Sequence, residues 1–427
     1  MRIVANRTYD VVVVGSGPGG LAAAIEAKKN GADKVLIIER DIELGGILIQ
    51  CIHNGFGLEI FKEDLPGPSY AQRFIQEAIN LKIDTLIDSM VLEATSDHRL
   101  FITNREGGIQ EIQAKAIVFA MGCRERTRAQ IRLPGMRPAG VFTAGTAQRW
   151  VNVEGFMPGK RFVILGSGDI GMIMARRLTL EGAKVERVLE IMPFISGLMR
   201  NYVQCLQDFN IPLQLQHTVK RILGNRRVEA VETVAVDEHW QLIQGSEEII
   251  PCDTLLLSVG LIPENELSRQ AGVQIDMLTG GPFVDSHFQT SVRGIFSAGN
   301  VVHVYDLVDW VTDAGFKAGR SAALYAQSKL PTANKMVNTY AGENIRYVVP
   351  HYIDVDALAK EGIRMQMRAR LPIEEPMWVE AIANGKQLTR RALPYARPGE
   401  MITLSLRPDH VDDLRKSDKL ILNIIKR

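Results

Sequence analysis

Three glycines near the start of the chain have the spacing of a phosphate-binding loop. Gly15, Gly17 and Gly20 form the pattern G-x-G-x-x-G directly after an apolar run at residues 11–14. In such a loop the first glycine permits a tight turn, the second lets the backbone approach a pyrophosphate, and the third lets the following helix pack closely against the strand. The N-terminus of that helix offers free N–H groups and a positive dipole end. The pattern therefore predicts a site for the phosphates of a dinucleotide.

An acidic residue stands where a ribose-binding carboxylate is expected. Glu39 ends a second apolar run and lies 22 residues after Gly17. A carboxylate about 20 residues beyond the loop accepts hydrogen bonds from a ribose hydroxyl. Because glycine-rich turns are common, Glu39 gives the first loop much of its specificity.

The glycine pattern and the acidic residue that follows it occur a second time in the chain. Gly166, Gly168 and Gly171 repeat the glycine pattern after an apolar run, and Glu190 again lies 22 residues after the middle glycine. Two loops with one internal spacing predict two dinucleotide sites. Glu190 favours NAD(H) over NADP(H), because a carboxylate accepts from a free 2′-hydroxyl and repels a 2′-phosphate. Arg187 lies nearby, and the sequence leaves its direction open.

A glycine-containing segment follows Glu39. Gly45 and Gly46 lack side chains, so a flat ring system could lie against their backbone. Cys51 is interpreted either as a small buried residue or as a reactive thiol. His53 either faces the ring or makes a structural hydrogen bond. The four cysteines are scattered, which is typical of a reducing cytoplasm rather than of a disulfide framework.

Parallel strands must position these residues. Apolar runs at residues 11–14, 34–39 and 116–122 predict buried strands, and the last ends in Gly122. The predicted fold class is α/β, with two Rossmann-like dinucleotide-binding domains, the second inserted into the first, and a small β-rich C-terminal domain. The predicted bounds are 1–125 with 257–330 for the first domain, 126–256 for the second and 331–427 for the third.

Composition excludes several classes of function. The 427 residues include 50 basic and 49 acidic ones, a formal charge of +1, which does not indicate a nucleic-acid binder. No apolar run reaches about 18 residues, so no transmembrane segment is predicted. There is no pattern of a cleaved signal peptide, and a cytoplasmic location is expected. The eight histidines do not have metal-ligand spacing, and no metal site is predicted.

The C-terminal residues differ in character from the rest. Short strand-like runs alternate with turns, and Asn384-Gly385 between two of them predicts a type I′ hairpin. No cysteine follows Cys252, so this region cannot be a cysteine-ligated iron–sulfur module. Two interpretations stay open: a docking surface for another protein, or a structural cap.

The two loops, together with a strand that ends at Gly299 and Asn300, resemble pyridine-nucleotide-dependent flavoproteins with two dinucleotide-binding domains. The resemblance covers about residues 8–325. It implies that the first loop binds FAD, that the second binds NAD(P)H, and that Gly45 and Gly46 line the flavin. In that group Asn300 is usually an aspartate that bonds the ribityl chain of FAD. An asparagine can still accept and donate hydrogen bonds there.

Residues 45–57 and 166–178 resemble more closely the flavoprotein subunits associated with FAD-dependent glycerol-3-phosphate dehydrogenases. They resemble more distantly the subunits of opine oxidase, dye-linked proline dehydrogenase and hydrogen cyanide synthase. This resemblance implies an FAD-dependent oxidoreductase that transfers hydride between NAD(H) and FAD. It also implies a small iron–sulfur or dithiol protein and a partner FAD-dependent dehydrogenase subunit.

Two alternatives remain at this stage. One is a disulfide reductase that acts on a partner's thiols. Set against the pattern of the glutathione reductase type, however, the two redox-active cysteine positions fall on Leu48 and His53 here. The other is a nucleotide-binding assembly subunit without turnover. No catalytic side chain is identified, and Cys51 and His53 are the candidates.

Overall fold

The computed structural model describes residues 4–427 and divides the chain into two compact units. Unit 1 comprises Met1–Cys123 and Pro263–Arg427, and unit 2 comprises Arg124–Ile262. In sequence, unit 2 is thus inserted between the two parts of unit 1. The three domain boundaries drawn from the sequence stay a prediction, because the C-terminal region lies within unit 1 in this division.

The first part of unit 1 alternates strands and helices. Its strands are β1 (Val4–Val14), β2 (Val35–Ile38), β3 (Asn54–Phe56), β4 (Leu65–Pro66), β5 (Asp84–Leu86), β6 (Ser89–Ala94), β7 (Arg99–Asn104) and β8 (Gly108–Phe119), and β9 (Cys123–Glu125) spans the boundary with unit 2. Its helices are α1 (Pro18–Lys29) and α2 (Gly67–Asn80). The main sheet has the order β5-β2-β1-β8-β7-β6, and β1 runs parallel to both β2 and β8.

Residues 11–14 of strand β1 are buried on both faces of the sheet. Val11 and Val13 belong to one apolar core and Val12 and Val14 to another, on opposite sides of the sheet. This explains why the run is continuously apolar instead of alternating.

Unit 2 has the same parallel plan. Its strands are β10 (Val141–Thr143), β11 (Arg161–Leu165), β12 (Lys184–Glu190), β13 (Leu213–Leu215), β14 (His217–Leu223), β15 (Ala230–Ala235), β16 (Glu248–Pro251) and β17 (Thr254–Leu257). Its helices are α3 (Ala144–Arg149), α4 (Asp169–Leu180) and α5 (Met199–Tyr202). Strands β10-β17-β11-β12-β13 form a parallel sheet, and β14-β15-β16 form an antiparallel one.

The chain returns to unit 1 through four elements. They are β18 (Leu261–Pro263), α6 (Glu266–Gln270), β19 (Ile295–Ser297) and α7 (Val308–Ala326). Strand β19 pairs parallel with β8, which completes the main sheet. Helix α7 packs tightly on α1, because a Cβ at Gly319 would lie 2.0 Å from the Ala23 carbonyl oxygen. The two Rossmann-like sheets confirm the predicted fold class.

The C-terminal residues form two sheets around a core of their own. Their strands are β20 (Met336–Ala341), β21 (Ile345–Val349), β22 (Tyr352–Asp354), β23 (Ile363–Ala369), β24 (Met377–Ala383), β25 (Lys386–Leu393), β26 (Met401–Leu406) and β27 (Lys419–Lys426), and their helices are α8 (Val355–Lys360) and α9 (Val411–Arg415). Asn384 and Gly385 have φ values of 49° and 75° between β24 and β25, which confirms the type I′ hairpin.

Helices α8 and α9 were not predicted, since each has too few residues to show a helical period. None of the helices described between residues 4 and 427 is long and apolar enough to cross a membrane.

Candidate functional site

The three glycines of the first loop have the geometry that close phosphate approach requires. Gly15 has φ 98°, and a Cβ there would lie 2.6 Å from the Ala120 carbonyl oxygen. A Cβ at Gly20 would lie 1.9 Å from the Gly15 carbonyl oxygen, so α1 touches the loop backbone. A Cβ at Gly17 would meet no protein atom within 4 Å. Gly17 therefore faces open space, as expected of the position that a pyrophosphate approaches.

The N-terminus of α1 is open to a ligand. Gly17 is its N-cap residue, and no side chain caps the helix. The first N–H groups of a helix lack partners within the helix and carry the positive end of its dipole. A dinucleotide's phosphates fit this combination of open space and free donors.

Glu39 is held rigidly at the end of β2. It is buried, and its Oε2 accepts hydrogen bonds from the Ser16 N–H at 2.8 Å and from the Ser16 hydroxyl at 2.6 Å. Its Oε1 accepts from the Asp41 N–H at 2.8 Å. A carboxylate has about four lone-pair sites, so Glu39 retains capacity to accept from a ribose hydroxyl.

Gly45 and Gly46 lie directly against the first loop. They have φ values of 115° and 57°, and a Cβ at Gly46 would come 2.9 Å from the Cα of Gly17. The Gly45 N–H donates to the Ser16 carbonyl at 3.2 Å. The candidate flavin-lining segment and the candidate phosphate loop are therefore parts of one surface.

The segment that begins at Gly45 and Gly46 is attached to α7 at its C-terminal end, through Asp309. This buried carboxylate accepts from the Gly57 N–H at 3.2 Å and from the Ile60 N–H at 2.9 Å. Two backbone groups of an otherwise irregular loop are thereby satisfied by the first turn of a helix. Sequence reasoning missed Asp309, because nothing local marks a contact across 252 residues.

Gly299 and Asn300 follow β19 at the end of the main sheet. Gly299 has φ 78°, and a Cβ there would lie 2.9 Å from Val311 Cγ1. The Asn300 Oδ1 accepts from the Tyr305 N–H at 3.1 Å, and its Nδ2 lies 3.7 Å from Cys123 Sγ. The neighbouring Gly122 has φ 70°, with no protein atom within 4 Å of its Cβ position. The amide of Asn300 therefore has a fixed orientation.

The two candidate catalytic residues lie on the segment that follows Gly46. Burial raises the pKa of the Cys51 thiol to about 12, so the thiol is protonated at neutral pH. The half-buried His53 ring lies 5.1 Å from the Phe56 ring, in a tilted arrangement. Cys51 thus lacks the thiolate character of a nucleophile.

The second loop, in unit 2, repeats the geometry of the first. Cβ atoms at Gly166 and Gly171 would lie 2.1 Å from the Ser258 carbonyl oxygen and 2.7 Å from Ser258 Cβ. A Cβ at Gly168 would meet Ser258 Oγ at 3.1 Å and nothing closer. Ser258, after β17, therefore closes this loop as Ala120, after β8, closes the first.

Glu190 is held in unit 2 as Glu39 is in unit 1. Its Oε2 accepts from the Ser167 N–H at 2.9 Å, the Ser167 hydroxyl at 2.6 Å and the Ser196 hydroxyl at 2.8 Å. Arg187 is engaged elsewhere, with its guanidinium 2.9 Å from Gln214 Oε1 and 2.5 Å from Glu248 Oε2. The serine between the first two glycines of each loop could have been found from the sequence, because both copies read Gly-Ser-Gly.

Comparison with known proteins agrees with this architecture. Residues 9–339 match the family model for pyridine nucleotide-disulphide oxidoreductases. The A subunit of opine oxidase from Agrobacterium tumefaciens (strain Ach5) is 25% identical over 352 residues, which are 78% of this chain and 67% of that protein. Hydrogen cyanide synthase subunit HcnB of Pseudomonas protegens is 25% identical over 335 residues, covering 73% and 67%.

A solved structure extends the comparison to the fold. The crystal structure of T. acidophilum thioredoxin reductase superposes with a TM-score of 0.61 at 26% identity, and the match covers 75% of this chain and 99% of that one. The assignment of individual site residues stays a prediction. The family model spans most of the chain, so this protein belongs to the pyridine nucleotide-disulphide oxidoreductase family and is an FAD-dependent NAD(P)H oxidoreductase.

Proposed function

We propose that this chain transfers a hydride between NAD(H) and FAD as one subunit of a multi-subunit dehydrogenase. The observation that carries the proposal is the repeated loop and carboxylate, Gly17 with Glu39 in unit 1 and Gly168 with Glu190 in unit 2. When bound, the two cofactors supply the hydride donor and acceptor. The chain's own task is then to bind, orient and keep water away from them.

Each group of residues has a distinct role in this proposal. In unit 1, Glu39 accepts from the adenosine ribose of FAD, while Gly15, Gly17 and Gly20 admit the pyrophosphate. Gly45 and Gly46 line the flavin with their backbone, Gly122 leaves open space beside it, and Gly299 and Asn300 serve the ribityl chain. In unit 2, Gly166, Gly168, Gly171 and Glu190 bind NAD(H). Arg187 bonds to Gln214 and Glu248, which supports a preference for NAD(H) over NADP(H).

The subunit role is supported by the relatives. The opine oxidase and hydrogen cyanide synthase relatives are each named as one subunit of an enzyme. We propose further that the chain works in the cytoplasm with an FAD-dependent dehydrogenase subunit of the glycerol-3-phosphate or amino-acid type, and with a small iron–sulfur or dithiol protein.

A disulfide reductase is the second candidate, favoured by the similarity to thioredoxin reductase. Three of the four cysteines argue against it. Burial raises the pKa of the thiols of Cys51, Cys205 and Cys252 to about 12, 11 and 12. A reactive dithiol needs a lowered thiol pKa and a neighbouring cysteine. Hydride exchange between NAD(H) and the chain's own FAD, followed by electron transfer between that FAD and a partner, therefore fits the chain better.

An anaerobic titration tests the proposal. The purified chain is expected to carry FAD, and NADH should bleach the flavin absorbance with a stoichiometry near one per chain. Glu190→Ala is the matched control, because it should retain FAD and respond poorly to NADH. A folded, colourless protein that takes up no added FAD would refute the proposal. FAD that NADH leaves oxidised would instead support an assembly role without turnover.

A further inference from the structure

Arg368, in strand β23 of the C-terminal region, contacts the segment that follows Gly299 and Asn300. Its guanidinium donates to the Val304 carbonyl oxygen at 3.0 Å and pairs with the Asp306 carboxylate. The side chains of Arg368 and Asp306 are only 13% and 11% exposed. The two side chains of a buried ion pair stay together, because separating them would leave an unpaired charge out of contact with water.

Further polar groups of this pair bind strands β26 and β21 of the C-terminal region. Asp306 Oδ2 accepts from the Met401 N–H, and Arg368 Nε donates to the Tyr347 hydroxyl at 3.2 Å. The Tyr347 hydroxyl lies 3.5 Å from Nδ1 of the buried His303. Burial lowers the pKa of His303 to about 3, so the imidazole is neutral and adds no positive charge beside Arg368.

One peptide group connects Arg368 to Asn300. The Val304 carbonyl, which accepts from Arg368, and the Tyr305 N–H, which donates to Asn300 Oδ1 at 3.1 Å, belong to the same peptide bond. A peptide bond is planar, so fixing its oxygen also fixes the direction of its N–H. Arg368 thus sets the donor that orients the Asn300 amide.

The segment between these residues leads into α7. Helix α7 begins at Val308 without a side-chain cap, and Asp309 in its first turn holds the loop at Gly57 and Ile60. Asp309 therefore links the first turn of α7 to the loop at Gly57 and Ile60 by hydrogen bonds. Asp306 lies just before α7, and its ion pair with Arg368 links these residues to the C-terminal region.

We infer that Arg368 is a positioning residue for FAD: by holding the Val304–Tyr305 peptide it fixes the Asn300 amide beside the ribityl chain. The C-terminal region then contributes to the cofactor site of unit 1 and is more than a cap. This inference rests on the proposed FAD site.

The test compares three variants of the full chain. Arg368→Gln removes the charge, Arg368→Lys keeps the charge without the planar fork, and Leu422→Ala creates a cavity in the separate C-terminal core as a control for stability. The apoprotein is titrated with FAD, and the midpoint potential and visible circular dichroism of the bound flavin are recorded. Arg368→Gln should raise the FAD dissociation constant about tenfold and alter both flavin signals. Arg368→Lys should fall between it and wild type, and Leu422→Ala should bind FAD as wild type does.

A double variant tests whether Arg368 acts through Asn300. In an Asn300→Ala background, Arg368→Gln should weaken FAD binding by less than about threefold further, since residues that act together are not additive. Full additivity would overturn the inference, as would an Arg368→Gln protein with wild-type FAD affinity and potential. Equal FAD loss in Leu422→Ala at matched melting temperature would also overturn it. If Arg368→Gln does not fold, an Arg368→Lys protein with wild-type FAD affinity and midpoint potential would overturn the inference. A wild-type chain that binds no FAD would refute the proposed function itself.

Discussion

Glu190 accepts two hydrogen bonds from Ser167, one from its backbone N–H at 2.9 Å and one from its hydroxyl at 2.6 Å. Glu39 and Ser16 repeat this pair at 2.8 and 2.6 Å in unit 1. In each case the serine stands between the first two glycines of its loop. The loop therefore positions the carboxylate that would bind the ribose, so that phosphate and ribose recognition are fixed together.

The first prediction concerns nucleotide preference. Replacing Glu190 by Ala should remove about 1–3 kcal/mol of discrimination between NADH and NADPH, the scale of a hydrogen bond to a charged group. Glu186→Ala on the same strand is the control, because Glu186 pairs with Arg161 and Lys184 and does not contact the loop. Rates of flavin reduction at equal concentrations provide the measurement. Equal rates with both nucleotides in the wild type would refute the role of Glu190.

The second prediction separates a glycine that a ligand needs from one that the fold needs. Gly17→Ala should leave the melting temperature of the apoprotein unchanged, because the Cβ meets no protein atom within 4 Å. The same Cβ should weaken FAD binding by about tenfold or more, since it occupies the space of the pyrophosphate. Gly20→Ala should destabilise the apoprotein itself, because its Cβ would lie 1.9 Å from the Gly15 carbonyl oxygen. Thermal melts and FAD titrations distinguish the two, and undiminished FAD affinity in Gly17→Ala would contradict the assignment.

The third prediction is that Cys51 is chemically inert. Because burial raises the pKa of the Cys51 thiol to about 12, the thiol is protonated at pH 7. Iodoacetamide should therefore modify Cys51 slowly in the folded protein and rapidly in urea, as mass spectrometry would detect. Cys51→Ser should retain NADH oxidation with an artificial dye. Fast alkylation at pH 7 together with an inactive Cys51→Ser variant would restore the disulfide reductase interpretation.

The sequence predicts what local patterns determine. Gly15, Gly17 and Gly20 are recognisable because a turn, a phosphate approach and a helix contact each depend on near neighbours in the chain. The role of Asp309 depends on a contact with Gly57, 252 residues away, and no periodicity reports it. The pairing of Arg368 with Asp306 is hidden for the same reason, because two ordinary charged residues show their burial only after folding.

The last prediction concerns the redox centre that exchanges electrons with the flavin. A flavin that exchanges hydride with NAD(H) must pass its electrons to, or take them from, a second redox centre. In disulfide reductases of the glutathione reductase type that centre is a cysteine pair, and we expect its two positions to correspond to Leu48 and His53 here. Among residues 4–427 no group of three or more His, Cys, Asp or Glu side chains is arranged to bind a metal ion. We propose that the relay lies on another polypeptide.

The last prediction is that the isolated chain reduces artificial dyes with NADH but turns over little glycerol 3-phosphate or amino acid. Coexpression with its partner dehydrogenase should restore coupled oxidation of such a substrate, because the partner supplies the substrate site and the relay. Stopped-flow absorbance of the isolated chain is the direct measurement, with NADH as the positive control for a competent flavin. The Glu190→Ala chain, coexpressed in the same way, should still let substrate reduce the complex while losing electron exchange with NAD(H). Rapid reduction of the flavin by glycerol 3-phosphate or an amino acid, with no partner present, would show that the substrate site lies on this chain and would overturn its proposed role as one subunit of a complex.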